Sequence, residues 1–119
     1  MADRVVAVVK DLFFVARIRE TARLVGTSLA FARSAEELAG QLEADPPRLV
    51  ILDLTTRDWD YEALFSVLEQ RHPRAPLLGF TTHALARQTQ PFHQRCDRVV
   101  TRETLTEQLA SILRDGLAA

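Results

Sequence analysis

Short apolar runs alternate with longer amphipathic stretches along the whole chain. The apolar runs are rich in valine, leucine and isoleucine, which is typical of strands covered on both faces of a parallel sheet. The amphipathic stretches repeat apolar residues three and four positions apart, as helices that pack on such a sheet do. The pattern therefore predicts a succession of strand–helix units. The predicted strands are Val5–Val9, Thr27–Ala32, Leu49–Leu52, Leu77–Phe80 and Arg98–Thr101.

Local start and stop signals delimit the first two helices. The first helix is predicted over about Phe13–Leu24, with Gly26 placed to end it. The second begins at a capping box, in which the Ser34 hydroxyl accepts the Glu37 amide and the Glu37 carboxylate reaches back to the cap. It ends before Pro46, because proline cannot continue a helix.

The later helices carry weaker signals. The third is predicted to stop near His72–Pro73. The fourth falls within Ala84–Gln94, where Pro91 predicts a helix that is short, kinked or begun late. A second capping box, Thr104–Glu107, predicts the start of the fifth helix, and Gly116 its end.

Repeated strand–helix units predict an α/β fold, a doubly wound five-stranded parallel sheet with right-handed crossovers and helices on both faces. Residues 1–119 are expected to form this single domain. In such sheets the functional crevice lies at the carboxyl ends of the strands. Candidate site residues are therefore those at or just after the strand ends: Val9, Lys10, Asp11, Asp53, Thr81 and Arg102.

Composition narrows the class of protein and its partners. The 119 residues are 47% hydrophobic and 26% charged, as expected for one soluble globular domain. Fifteen basic and sixteen acidic residues give a formal charge of −1, so neither nucleic acid nor an anionic membrane is an expected partner. The single cysteine, Cys96, and an apolar run near the N-terminus that is too short for a membrane span predict a cytoplasmic protein.

Two strand ends carry a family resemblance. Asp45–Leu54 approaches Asp53 through an apolar strand, and Pro76–Thr81 ends the next strand in a threonine. In these stretches, and over essentially its whole length, the chain resembles a response-regulator receiver domain of two-component signalling. The resemblance implies a flavodoxin-like (βα)5 fold with strand order 2-1-3-4-5. It also implies that Asp53 is the phospho-acceptor and that Thr81 and Arg102 contact the phosphoryl group or another anion.

Departures from the family pattern lie around the same site. Receivers end their first strand with two adjacent acidic residues, which hold Mg²⁺ together with the acceptor aspartate. Here Val9 and Lys10 stand there, or Lys10 and Asp11 after a shift of one residue. Mg²⁺ gains most from several carboxylates, so we expect no metal and a degenerate acidic pocket. Val99 replaces the aromatic residue whose rotation accompanies phosphorylation in the family.

Other polar and aromatic residues have local interpretations. Lys10 is expected to face Asp53 and form an internal ion pair with it. His83 is interpreted as a loop polar contact and Cys96 as an inert packing residue. Trp59 and Tyr61 lie in the loop after the third strand, where they either anchor a partner or cover the packing edge of the third helix.

The leading hypothesis is a pseudo-receiver that signals by contact with a sensor kinase or a downstream signalling protein, without phosphorylation. The contact surface is expected on the fourth helix, fifth strand and fifth helix, including Phe92, His93 and Val99. Homodimerisation stays open. No enzyme is predicted, because no nucleophile, base and orienting group converge.

Two alternatives remain at this point. One is a true single-domain response regulator that is phosphorylated on Asp53, in which case Mg²⁺ is the cofactor. The other is a module that binds a small anionic ligand through Lys10, Arg102 and Thr81.

Overall fold

Five strands alternate with five helices in the residues that the computed structural model describes, which are 4–43, 46–71 and 74–118. The strands are β1 Val5–Val8, β2 Leu29–Ala32, β3 Leu49–Asp53, β4 Leu77–Thr81 and β5 Arg98–Thr101. The helices are α1 Leu12–Val25, α2 Ala35–Leu42, α3 Tyr61–Glu69, α4 Ala86–His93 and α5 Arg102–Asp115, which a short 3₁₀ turn, Gly116–Ala118, follows. Asp45, His72 and Pro73, which entered the sequence interpretation, lie outside the described residues.

All strand pairs are parallel, and their order within the described ranges is β2-β1-β3-β4-β5. The predicted doubly wound α/β fold and its strand order are therefore confirmed. The register pairs Asp53 with Phe80 and Thr81 with Thr101. Because the carboxyl ends of parallel strands meet at one edge of the sheet, side chains after β1, β3, β4 and β5 come close together there.

Two apolar clusters, one on each face of the sheet, form the core. Alternate strand residues point to opposite faces, so Val5 and Ala7 pack with α1 and α5, while Val6 and Val8 pack with α2 and α3. Every residue of β1, β3 and β4 is buried. This is the environment that the continuous apolar runs predict.

The end of α1 and the start of α2 lie where the sequence signals predict them. Gly26 ends α1 in the left-handed conformation with φ 74°, which favours glycine because it has no Cβ. The Ser34 hydroxyl accepts the Glu37 amide at 3.0 Å. The Glu37 carboxylate accepts the amide of Arg33, one residue earlier than the expected cap, also at 3.0 Å.

The predicted start of α5 at Thr104–Glu107 is wrong. The helix begins at Arg102, directly after β5, and its cap is Thr101, whose hydroxyl accepts the Thr104 amide at 3.1 Å. Thr101 thus ends a strand and caps a helix without an intervening loop. This early start places Arg102 at the carboxyl edge of the sheet.

The fourth helix is short and begins late, as Pro91 predicts. It starts at Ala86 and contains Pro91 near its end. Among the described helices, none has the length and apolar character needed to cross a membrane.

Candidate functional site

Asp53 is the last residue of β3, and its side chain is buried. One carboxylate oxygen, Oδ1, accepts the Thr55 amide at 2.8 Å and the Thr55 hydroxyl at 2.6 Å. Such a local contact closes the turn that leaves the strand. One oxygen of the candidate phospho-acceptor is therefore held by its own loop, and the other faces Arg102.

The guanidinium of Arg102 lies between two carboxylates. Its Nη1 is 3.1 Å from Asp11 Oδ2, and its Nη2 is 3.9 Å from Asp53 Oδ2. The same group lies over the ring of Phe14 at 4.7 Å and over that of Phe80 at 5.7 Å from their centroids. A planar, permanently charged fork can bridge two acids and stack on aromatic rings at the same time. Arg102 therefore offsets one of the two negative charges of this pocket from within.

Asp11 has a second role as the cap of α1. Its Oδ1 accepts the amides of Phe13 at 3.0 Å and Phe14 at 3.3 Å, while Oδ2 contacts Arg102. Partial burial raises the pKa of the Asp11 carboxyl, but the hydrogen bond from Phe14 and the contact with Arg102 outweigh it and lower that pKa overall. Asp11 is thus ionised and has protein partners on both oxygens.

Lys10 does not form the predicted ion pair with Asp53, and that prediction is wrong. Its Nζ instead lies 3.0 Å from Asp58 Oδ2 and 5.7 Å from the ring centroid of Trp59. Asp58 is 75% exposed, so this pair is a surface contact.

The alternation of side chains explains the difference. Val8 points to the α2/α3 face of the sheet, and the period of two sends Lys10 to the same side, toward the loop after β3. Ile51 points to the α1/α5 face, and Asp53 follows it. The two side chains therefore leave their strands on opposite faces.

Tyr61 fixes the loop that follows Asp53, a role that sequence reasoning missed. Its hydroxyl donates to the Asp53 carbonyl at 2.7 Å and accepts the Thr56 amide at 3.0 Å. Burial, with the nearby charge of Asp53, raises the pKa of Tyr61 to about 12. The sequence signal was a tyrosine in the apolar repeat of α3 directly after a loop of polar residues.

Trp59 fastens the same loop to the connection between β2 and α2. Its indole Nε1 donates to the Arg33 carbonyl at 3.1 Å, and its ring meets Tyr61 edge-on at 6.1 Å between centroids. Of the two interpretations of Trp59, the structure supports packing, because the side chain is half-buried in these contacts.

Thr81 is hydrogen-bonded toward α4. Its hydroxyl lies 2.9 Å from that of Thr89, which lies 2.8 Å from His93 Nε2. Since Thr81, Lys10 and Arg102 each contact a different part of the protein, they do not converge as donors for a small anion. The geometry therefore gives no support to the anion-binding alternative.

The expected contact residues on α4 and β5 are less exposed than predicted. Phe92 stacks on Tyr61 with ring centroids 4.7 Å apart, and His93 is held by Thr89. Val99 is half-buried against the α2/α3 core. These three residues pack within the domain, because α4 lies against the side chains of α3 and β4.

Cys96 and His83 show no arrangement for catalysis. Burial raises the pKa of the Cys96 thiol to about 11, and the thiol contacts the Phe92 carbonyl at 3.6 Å. A thiol with so high a pKa is a poor nucleophile, as expected of a packing residue. His83 is exposed at a groove of about 580 Å³ between the β4–α4 loop and α5.

The residues at the strand ends do not fit Mg²⁺. Within the described ranges, no group of three or more histidine, cysteine, aspartate or glutamate side chains is placed to hold a metal. Val9 is buried, Lys10 leaves on the other face, and the Arg102 cation lies between the two remaining acids. Mg²⁺ needs near-octahedral oxygen ligands, which this pocket does not supply.

This architecture is the fold of response-regulator receiver domains. A response regulator from Hahella chejuensis aligns over 99% of this chain and 97% of its own, with TM-score 0.80 and 16% identity. The receiver domain of NtrX from Brucella abortus aligns over 98% of both chains, with TM-score 0.76 and 16% identity. The phosphorylated cyanobacterial phytochrome response regulator RcpA aligns over 93% of this chain and 88% of its own, with TM-score 0.66 and 17% identity.

The likeness to these structures is one of fold. A longer NtrX structure from Brucella abortus aligns over 97% of this chain, with TM-score 0.75 and 16% identity. The alignment covers only 27% of the NtrX chain, so this chain spans about a quarter of its length. No family model matches the chain, and no curated protein matches it in sequence.

Proposed function

We propose that this chain is a pseudo-receiver, a signalling module that acts by contact with another protein and without aspartyl phosphorylation. The observation that carries the proposal is the Arg102 guanidinium between Asp11 and Asp53, at 3.1 and 3.9 Å. Arginine does not lose its charge in proteins, so this cation permanently offsets one of the two negative charges. The two acids that would attract a metal thereby share a cationic partner within the chain.

The contacts of Asp53 support the same proposal. Phosphoryl transfer to an aspartate relies on a metal to neutralise the charge that develops on the phosphoryl group. Here the Asp53 side chain is buried, and Oδ1 already accepts two hydrogen bonds from Thr55. Attack through Oδ1 would require those bonds to break, and the other oxygen, Oδ2, faces the Arg102 cation at 3.9 Å.

The partner surface in this proposal lies on α4, β5 and α5 and is presented constitutively. A two-state switch needs an element with two arrangements. The fourth helix is instead fastened at two points, where Phe92 stacks on Tyr61 and Thr89 bonds to Thr81. Its exposed side chains are Arg87, Gln88, Gln90 and Pro91.

Such a surface suits a sensor kinase or a downstream signalling protein, and the module would be cytoplasmic and non-catalytic. Its exposed α4 residues are mostly polar, which fits a transient contact better than an obligate one. The proposal includes neither a nucleic-acid partner nor a bound cofactor. The nearly balanced formal charge of −1 supports the exclusion of a nucleic-acid partner.

Treatment with a small phosphodonor such as acetyl phosphate, with and without Mg²⁺, tests the proposal by intact-mass measurement. We expect no gain of a phosphoryl group in either condition. The matched control is Asp53→Asn, which keeps the shape of the side chain and cannot be phosphorylated there. A Mg²⁺-dependent gain of one phosphoryl group in the wild type that Asp53→Asn abolishes would establish the phospho-accepting alternative instead.

A further inference from the structure

The first helix carries a stripe of exposed side chains that the candidate site does not use. The stripe consists of Phe13, Arg17, Glu20 and Leu24, which recur at spacings of four, three and four residues. Phe13 is 91% exposed and Leu24 is 68% exposed. This spacing aligns all four on one face of the helix, away from its buried face. Two large apolar side chains thus lie exposed at the ends of the stripe, and the opposite charges of Arg17 and Glu20 lie between them.

We propose that this α1 stripe is a homodimer contact, in which α1 of a second copy packs antiparallel to it. A two-fold axis that passes between Ile18 and Arg19 sets Phe13 against the partner's Leu24. The same axis sets Arg17 against the partner's Glu20. Four- and three-residue spacing is that of the a and d positions of a coiled coil, and antiparallel helices pair a with d. The α1 stripe is therefore complementary to the same stripe on a second copy of the chain.

The charges specify the antiparallel orientation. A parallel pair would place Arg17 beside the partner's Arg17 and Glu20 beside the partner's Glu20, with repulsion at both levels. Glu20 also pairs with Arg23 in its own helix, at 2.5 Å. Both side chains of that pair are more than half exposed, so it contributes little and leaves Glu20 able to contact a second cation.

The surroundings of the stripe leave room for a second helix. A groove of about 690 Å³ runs between α1 and α5, and Phe13, Arg17 and Glu20 form one side of it, with Arg102 and Thr106 on the other. The α1 helix has 14 residues, which is about 21 Å of length. Such a contact is smaller than a standard interface of roughly 1,200–2,000 Å². The dimer is therefore weak and forms at high protein concentration.

Sedimentation velocity from about 10 µM to about 1 mM tests this proposal, a range suited to a weak dimer. We expect the wild type to dimerise with rising concentration. Arg17→Glu makes the centre of the stripe wholly acidic, and Glu20→Arg makes it wholly basic. Each substitution is expected to weaken self-association at least tenfold, while an equal mixture of the two variants restores a dimer, because opposite charges then face each other.

Two controls separate this surface from the rest of the molecule. Leu12→Ala removes a 71% exposed leucine from another face of the same helix, and Arg87→Glu reverses a charge on α4. Both are expected to dimerise like the wild type. Phe13→Ser tests the apolar end without a change of charge and is expected to weaken the dimer at least tenfold, with circular dichroism confirming the fold of every variant.

Three results would overturn the proposal. One is a wild type that stays monomeric up to about 1 mM. Another is a dimer that Phe13→Ser and both charge reversals leave intact, since a different surface would then form it. The third is a mixture of the folded Arg17→Glu and Glu20→Arg variants that stays monomeric.

Discussion

Arg102 and Lys10 are two cations at the same edge of the sheet, but they have different environments. Arg102 bridges Asp11 and the buried Asp53 and lies on two aromatic rings. Lys10 contacts the exposed Asp58 at the outside of the β3–α3 loop. The family pattern drew attention to Lys10, because it stands where receivers have an acid. The cation that lies between the two acids of the pocket is instead Arg102, in the first turn of α5.

The difference shows that position along the chain does not determine which charges meet. Lys10 follows the side-chain alternation of β1 onto the α2/α3 face, whereas Arg102 enters from α5 on the face of Asp53. A guanidinium fork also bridges two acids, which a single ammonium does less well. Removal of Arg102 should therefore lower the stability of the fold more than removal of Lys10.

The largest effect is expected from Arg102→Ala. It leaves the buried Asp53 carboxylate without its cation and removes the contacts with Phe14 and Phe80. Breaking a fully buried pair costs roughly 3–5 kcal/mol, and because Arg102 is 36% exposed we expect a loss of about 2 kcal/mol. Chemical denaturation followed by the fluorescence of Trp59, the single tryptophan, measures it. Arg102→Lys should fall between this variant and the wild type, and an unchanged midpoint for Arg102→Ala would contradict the bridging role.

The next effect concerns Tyr61, which holds the loop that follows Asp53. Tyr61→Phe removes two hydrogen bonds and leaves the Thr56 amide without that partner. We expect a loss of about 1–2 kcal/mol at neutral pH, measured by the same denaturation. A midpoint equal to that of the wild type would mean that the loop is held without this hydroxyl.

Alkaline titration tests the environment of Tyr61 directly, because the chain has one tyrosine. Its pKa is raised from 10.0 to about 12 in the folded state. The stability contributed by the neutral phenol is therefore complete below pH 10 and is lost as pH rises through about 12. The absorbance of the phenolate should therefore appear at a higher pH in the folded protein than in denaturant, where the pKa is expected near 10.0. Titration at the same pH in both states would contradict the buried contact.

A smaller loss is expected from Asp53→Asn. The amide oxygen still accepts from Thr55, and Arg102 keeps Asp11, so only the charge that faces Arg102 is lost. We expect destabilisation of about 0.2–1 kcal/mol in the absence of divalent metal, seen as a lower denaturation midpoint at unchanged slope. A higher midpoint would indicate that repulsion between Asp53 and Asp11 outweighs the attraction of Asp53 to Arg102, as among the clustered acids of a phosphorylatable receiver.

The smallest effect is expected from Lys10→Ala. Its partner Asp58 is 75% exposed, and solvent screens such a pair. We therefore expect no measurable change in the free energy of unfolding. A loss as large as that of Arg102→Ala would remove the contrast between the two cations.

The fold was predictable because its signals are local, whereas the pairings of charged groups depend on the tertiary arrangement. Apolar runs, Gly26 and the Ser34 cap located most elements, and the strand ends located Asp53. The start of α5 was missed because Thr101 serves both as the end of a strand and as a cap. The bridge made by Arg102 depends on that start, so the sequence pattern could not indicate it.

Thermal unfolding with increasing MgCl₂, matched in ionic strength with NaCl, tests most directly the claim that Arg102 and its two acids leave no place for a metal. A ligand that binds only the folded state raises Tm as its concentration rises, because binding adds RT ln(1 + [L]/Kd) to the free energy of unfolding. We predict equal Tm values in the two salts up to millimolar Mg²⁺. A rise in Tm specific to Mg²⁺ that Asp53→Asn abolishes would contradict the account, because it would mean that Arg102 yields its place to the metal.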